Sequence, residues 1–376
     1  MALADATGIS RATVTTVTAE LIAAGLIEET GGPGPAPGAD APGEGRGRPK
    51  VNLAICGDAH LVAGIKVAHG ALSLALMDFA GRVLDEAPSD LPATVLDPCD
   101  LIAALGGALD RLMANHGGRG RLAGVGLGMP GVVDAEAGQV LWSPALTRRG
   151  VALGPEARAA LGVPVFVDND ANLVALAEMN FGMARGARDF LVVTVERGVG
   201  LGIVLNNRLY RGARGSGGEF GHTKVQLDGA LCRCGQRGCL EAYVADYALL
   251  REAAVLGEGG PTLTVDTLLA QAKAGRGMAA SVVNRAGRIF AMGLANLVNI
   301  FDPEVIILAG GPLALDHLYA QEVIDAVADP VVEIGQPPPR VAVHHWGDLM
   351  WARGAGAYAI EGVEHAVLQN ISDPAA

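Results

Sequence analysis

The sequence predicts an α/β protein of more than one domain, with a small helical unit set apart at its N-terminus. Three observations predict it. Half of the 376 residues are hydrophobic, enough to bury two or three separate cores. From Leu61 onward, short apolar runs that read as buried strands alternate with longer runs that read as helices. Before them lies GGPGPAPGADAPGEGRGRPK, residues 31–50, which cannot bury a core and predicts a flexible linker.

Charge narrows the function classes. Charged residues make up 18% of the chain and the net charge is -12, which argues against a protein that coats nucleic acid or an anionic membrane. A small local basic patch is compatible with both figures. No apolar run reaches the roughly 18 residues that span a bilayer. The opening MALADATGIS has an early acid and no basic region, so it does not read as a signal peptide. A cytoplasmic protein is expected, with the isolated Cys56 and Cys99 as small buried hydrophobes.

Residues 1–30 read as two helices and the start of a strand. Leu3 to Ala6 ends the first helix, Gly8-Ile9-Ser10 turns the chain, and Arg11 to Ala24 forms the second, capped by Ser10. Val14, Val17, Leu21 and Ala24 fall at helical spacing and predict a buried face. Arg11, Thr13, Thr15, Thr16 and Thr18 are left on the other sides, short polar groups able to enter a major groove. Gly25 ends the helix and Leu26-Ile27 begins the strand of a wing. The unit resembles the helix-turn-helix half of a winged-helix domain, whose second helix reads base edges. An ordinary helical hairpin is the other reading. The first helix usual in such domains does not precede it, so the sequence reads as beginning inside the motif. At the end of the linker, Arg46-Gly47-Arg48-Pro49-Lys50 is a basic tract of the kind that lies in a narrow A·T minor groove.

Farther on, Leu61–Val67 and Ala71–Asp78 predict a hairpin, Asp100–Asn115 an amphipathic helix, and Leu122–Gly128 a buried strand leading into Met129-Pro130-Gly131. VPVFVDNDANLVALAE, residues 163–178, is an apolar strand that ends in Asp-Asn-Asp and passes into a helix. Asp189–Asn206 predicts a second hairpin of buried strands, Ser281–Phe301 a long apolar helix, and Val305–Leu308 a strand ending in Ala-Gly-Gly-Pro. Arg340–His344 is a last strand, and Leu349–Glu361 a small-residue helix expected to pack back on the first lobe.

The stretch GSGGEFGHTKVQLDGALCRCGQRGCLE, from Gly215 to Glu241, carries the most specific signal. His222, Cys232, Cys234 and Cys239 give an H-x9-C-x-C-x4-C spacing that uses three of the five cysteines. Thiolates and imidazole are the ligands Zn²⁺ prefers, and four protein ligands close a tetrahedron without an open position, so a structural zinc is expected. Gly235 and Gly238 supply backbone freedom where the chain wraps the ion. Glu219 and Glu241 stand on either side of the ligands.

Gly-Glu-x-Gly-His followed by Cys-x-Cys-Gly-x-x-Gly-Cys-Leu-Glu, with the upstream Asn-Asp-Ala-Asn, resembles the ROK family of bacterial sugar kinases, sugar-responsive repressors and related open reading frames. The resemblance implies an actin-like (ribonuclease H-like) two-lobed sugar kinase fold behind the winged helix-turn-helix remnant. The expected division is 51–177 plus 347–376 as the first lobe and 178–346 as the second, with zinc in the second. It also implies that Asp170 is the base of a kinase, or a hydrogen-bond acceptor in a binder, while Asn169, Glu219, His222 and Glu241 hold sugar hydroxyls. Two departures bear on catalysis. Where kinases of the family have Asp-x-Gly-Gly-Thr-Lys in the first hairpin, Lys66 replaces the acid and Ala68 the first glycine. Where they have Gly-Thr-Gly-x-Gly in the second, Glu196 and Arg197 replace Gly and Thr. In the family's Ser-Pro-Asn-Leu-x-Trp, Ala145 and Arg148 stand for the Asn and the Trp.

Three functions follow. The first is a regulator of repressor type, with an operator DNA, a sugar effector and a homodimeric or homotetrameric state as partners. The second is an ATP- and Mg²⁺-dependent hexokinase or glucokinase. The third is a sugar-binding module with neither activity.

Overall fold

In a computed structural model of the chain, the described residues are 2–30, 51–256, 263–310, 317–318, 320–332, 335, 337–344 and 349–372. The linker with its basic tract, and Gly311-Pro312 of the Ala-Gly-Gly-Pro turn, lie outside them.

Helices α1 (Ala2–Thr7) and α2 (Arg11–Ala23) are followed by β1 (Ile27–Thr30), which pairs antiparallel with β2 (Asn52–Ile55). Ser10 caps α2, its hydroxyl accepting from the Thr13 amide at 3.2 Å. The apolar face expected on α2 is not a buried one: Val14 and Leu21 are half-buried, Val17 and Ala24 exposed. The six residues of α1 and a two-stranded ribbon give α2 little surface to pack on. Among the described residues of this unit Leu26 alone is buried, in one cluster with Val62, Met77 and Phe79.

The first sheet is built from β3 (Leu61–Ala68), β4 (Ala71–Asp78), β5 (Val83–Asp90), β6 (Leu122–Met129) and β9 (Val165–Asn169), in the order β5-β4-β3-β6-β9. β3 and β4 are buried along nearly their whole length, as their unbroken apolar runs require. β5 alternates between half-buried and exposed residues and carries Pro88, which suits the edge it occupies. Its core is closed by α3 (Pro98–Met113), capped by Asp97, and by α4 (Leu153–Leu161); the ribbon β7 (Val132–Asp134) and β8 (Gln139–Trp142) lies beside it. Of the two cysteines expected inside, Cys56 is half-buried, and Cys99 is exposed because it falls on the outer face of α3 with Asp100, Ala103 and Asp110.

The second sheet comprises β10 (Phe190–Val195), β11 (Val199–Leu205), β12 (Arg208–Leu209), β13 (Val305–Gly310) and β14 (Arg340–Val343), in the order β12-β11-β10-β13-β14. One core packs it against α6 (Glu241–Val244), α7 (Asp246–Val255), α8 (Val265–Lys273) and the 25-residue α9 (Gly277–Phe301), with Val323 and Ile324 of α10 (Gln321–Asp325) packed on its edge. The two sheets share one topology: an antiparallel meander whose first strand also pairs in parallel with the fourth, which in turn pairs in parallel with the fifth. This duplicated arrangement is that of an actin-like two-lobed fold.

Two helices join the halves. α5 (Asp170–Phe181) contacts strands of both sheets, and α11 (Leu349–Ser372) crosses it. Trp351, at the start of α11, packs with Phe190 and Ile307 of the second sheet, while Ala352, Ala359 and Val363 pack on the first. The glycines of β3 and β6 explain the close approach: a Cβ at Gly64 or Gly126 would fall on the backbone of Ala352 or Ala355.

Candidate functional site

The carboxyl ends of the inner strands of both sheets open on one cleft of about 470 Å³, the usual scale of a small-molecule site. Asn169 and Asp170 reach it where β9 passes into α5. Asn169 is the cap of α5: its Oδ1 accepts from the amides of Ala171 and Asn172, and its Nδ2 donates to the Gly131 carbonyl at 2.7 Å. One Nδ2 hydrogen remains for a ligand. Asp170 accepts from the neighbouring Ala171 amide, and burial pushes its carboxyl up to about 6, against the pull of Lys66 and with the push of Glu196.

Glu219, His222 and Glu241 line the opposite wall. Burial pushes the Glu219 carboxyl up, and Glu241 adds to it. Glu241 is buried and accepts from the Tyr247 hydroxyl at 3.2 Å. Sequence places these residues together through a short knuckle. Lys224 bridges to Cys239 and Leu231 to Arg237, and Gly238 has a φ of +78°, with the Gln226 carbonyl where a Cβ would be. The knuckle gathers His222, Cys232, Cys234 and Cys239 so that one ligand atom from each lies within 4.8 Å of the others. Cys234 and Cys239 sulfurs are 3.7 Å apart, and Cys232 Sγ is 3.7 Å from His222 Nδ1. A tetrahedral Zn²⁺ with bonds of about 2.3 Å to sulfur would space two sulfurs by about 3.8 Å, so the donor set fits a four-coordinate ion. Nε2 of His222 faces Glu219 at 3.9 Å, so one ring points Nδ1 at the cysteine cluster and Nε2 at the cleft.

Lys66 and Glu196, expected at phosphate-facing positions, meet: Nζ lies 2.8 Å from Oε2. Ala68 and Arg197 line the same end of the cleft. Ala145 also lines it, whereas Arg148 turns outward to Asp97 at 3.3 Å; the aromatic walls come from Trp142 and Trp351. Arg11, Thr13, Thr15 and Thr16 lie exposed on α2, none of them in the cleft, and the hydroxyls of Thr15 and Thr16 bond to the carbonyls of Arg11 and Ala12. Arg46 and Arg48 lie outside the described residues.

Four residues of the site were not expected from sequence. Arg211 donates to the buried Asp168 at 2.7 Å and lies over the Tyr358 ring. Trp351 comes from a helix far along the chain, and Tyr247 supports Glu241. Lys224 donates to Cys239 Sγ at 3.0 Å. Of these, Lys224, two residues after His222, lies within the stretch that the sequence singled out.

The ROK family profile matches residues 62–361. The chain is 30% identical over 332 residues to the xylose repressor of Caldicellulosiruptor bescii, covering 85% of this chain and 80% of that one. A ROK family transcriptional regulator homologous to the Escherichia coli Mlc protein superposes with a TM-score of 0.80 at 27% identity, over 99% of this chain and 93% of that one. A ROK hexokinase from Thermus thermophilus superposes with a TM-score of 0.70 at 32% identity, over 81% of this chain and 99% of that one. Repressors and kinases thus share the fold of this chain. The chain belongs to the ROK family.

Proposed function

We propose that this chain is a sugar-responsive transcriptional regulator of repressor type. It binds a sugar or sugar derivative in the interlobe cleft, and an operator through α2 with Arg46 and Arg48 in the adjacent minor groove. One observation carries the reading: the sugar-facing groups Asn169, Asp170, Glu219, His222 and Glu241 line one cleft, while the phosphate-facing positions are taken by the Lys66–Glu196 pair. A carboxylate there opposes a triphosphate, and a lysine replaces an acid that would serve Mg²⁺. The similarity to repressors over more than four-fifths of the chain supports it. Zn²⁺ held by His222, Cys232, Cys234 and Cys239 gives the knuckle its rigidity. Residues 1–30 form the DNA-binding unit, and pairing of half-sites implies a dimer or tetramer.

Sugar kinase activity is the second reading. Asp170, with its carboxyl near 6, has the poise of a general base, and this observation favours turnover.

Calorimetry over a panel of hexoses, pentoses and N-acetyl sugars should find a ligand that Asp170→Ala or Glu219→Ala weakens by about tenfold or more, the worth of a hydrogen bond to a charged group. Coupled ADP-release assays with the same sugars should stay at background. Turnover of about 1 s⁻¹ or faster would establish the kinase instead. Fluorescence anisotropy should detect a promoter fragment bound better than random DNA, with an affinity the sugar changes. Equal binding to all fragments, with and without sugar, would sink the regulator.

A further inference from the structure

The two substitutions at the cleft's phosphate-facing end are partners, although 130 residues separate them. Lys66 leaves the carboxyl end of β3 in the first sheet, and Glu196 stands in the β10–β11 turn of the second. The lysine side chain is 6% exposed and the glutamate 33%, so the pair is closed off on the lysine side and reaches water on the other. Above the ammonium lies the Trp351 ring, 3.5 Å from Nζ to centroid, brought by α11. Three separate parts of the fold therefore meet at one buried cation. An ammonium in such a place is held by its partners, since desolvation without them is costly. The ring adds a cation–π attraction that a dry site strengthens.

The geometry also fixes what the pair does to the cleft. Glu196 cannot reach Lys66 unless the β10–β11 turn lies against the β3–β4 turn, so the bond exists only while the lobes are together at this end. A bridging phosphate would have to displace the carboxylate and take the ammonium in its place. We propose that Lys66, Glu196 and Trp351 form a latch that holds the two lobes together across the cleft, standing where a nucleotide phosphate would otherwise bridge them. The inference deepens the reading of the cleft as a nucleotide-free ligand site and rests on it for that last clause. Closure of this end then needs no second ligand.

The test is hydrogen exchange on the full chain, without sugar or DNA, so that it is independent of whether either binds. Glu196→Gln removes the charge of the more exposed partner and leaves Lys66 the nearby Asp170. Lys66→Met with Glu196→Met removes the latch without leaving an unpaired charge. Both variants should speed exchange about tenfold or more in the two turns, 67–71 and 196–199, with α9 unchanged as an internal control for folding. Exchange that stays native in both turns, or that rises only in the turn carrying the substitution, would overturn the latch. Absence of sugar-dependent DNA binding would leave these exchange results intact and would count only against the regulator.

Discussion

Asp168 and Asp170 are two positions apart and have opposite surroundings. The Asp168 side chain is fully buried and accepts from the Asn169 amide, Asn172 Nδ2 and Arg211 Nε, so it is spent on holding β9, α5 and the loop before Glu219 together. Asp170 has one local amide and otherwise faces the cleft. Burial pushes its carboxyl to about 6, above the ordinary 3.8, so the folded chain holds this proton more tightly than the unfolded one. Stability from this group is therefore present at low pH and is lost as pH rises from about 4 to about 6. Melting curves of wild type and Asp170→Asn over that range should converge toward pH 4, and the variant should gain relative to wild type as pH approaches 7. Parallel curves would remove the claim. In the opposite sense, a ligand that uses the carboxylate as acceptor should bind more weakly below about pH 6.

The knuckle between the second sheet and α6 is the element on which both wall acids depend. His222 is fixed by its place among the sulfurs, and Glu219 lies three residues before it. Elemental analysis should find about one zinc per chain. Cys234→Ser should lose it, lower the melting temperature, and weaken the proposed sugar binding by at least about tenfold, because Glu219 and Glu241 lose their anchor. A metal-free variant with native sugar affinity would contradict the link. This element was legible in the sequence because its ligands lie within eighteen residues and metal geometry translates directly into spacing. The strands and helices were legible for the same local reason, as continuous apolar runs. Lys66 and Glu196 were each visible as departures, but their partnership was not, since no local pattern ties a residue in one hairpin to a residue in another. Arg211 and Trp351 escaped for that reason too. On α2 the error ran the other way: helical spacing marked a face for burial, but spacing alone cannot supply the surface to cover it.

At the scale of the whole molecule, two copies of one sheet topology face each other and are tied by α5, α11, the Asp168–Arg211 pair and the Lys66–Glu196 pair. The helical ties depend on small residues. Gly126→Ala would drive a methyl group onto the Ala355 carbonyl, where backbone, not a flexible side chain, must yield. Overpacking of this kind costs about 1–3 kcal/mol, so the melting temperature should fall by at least a few degrees. An unchanged melting curve would mean that α11 slides freely on its sheet.

The position of α11 has a consequence for how the protein comes to exist. Its helix covers the sheet formed by β3, β4 and β6, yet it begins at Leu349, long after β9 has ended at Asn169. At about 5–20 residues per second, synthesis leaves that sheet uncovered for on the order of ten to forty seconds. The lobe that is made first is thus finished last. During that interval its glycine-lined face is open to whatever the nascent chain meets, and a chain cut short before Leu349 would lose the first lobe before the second.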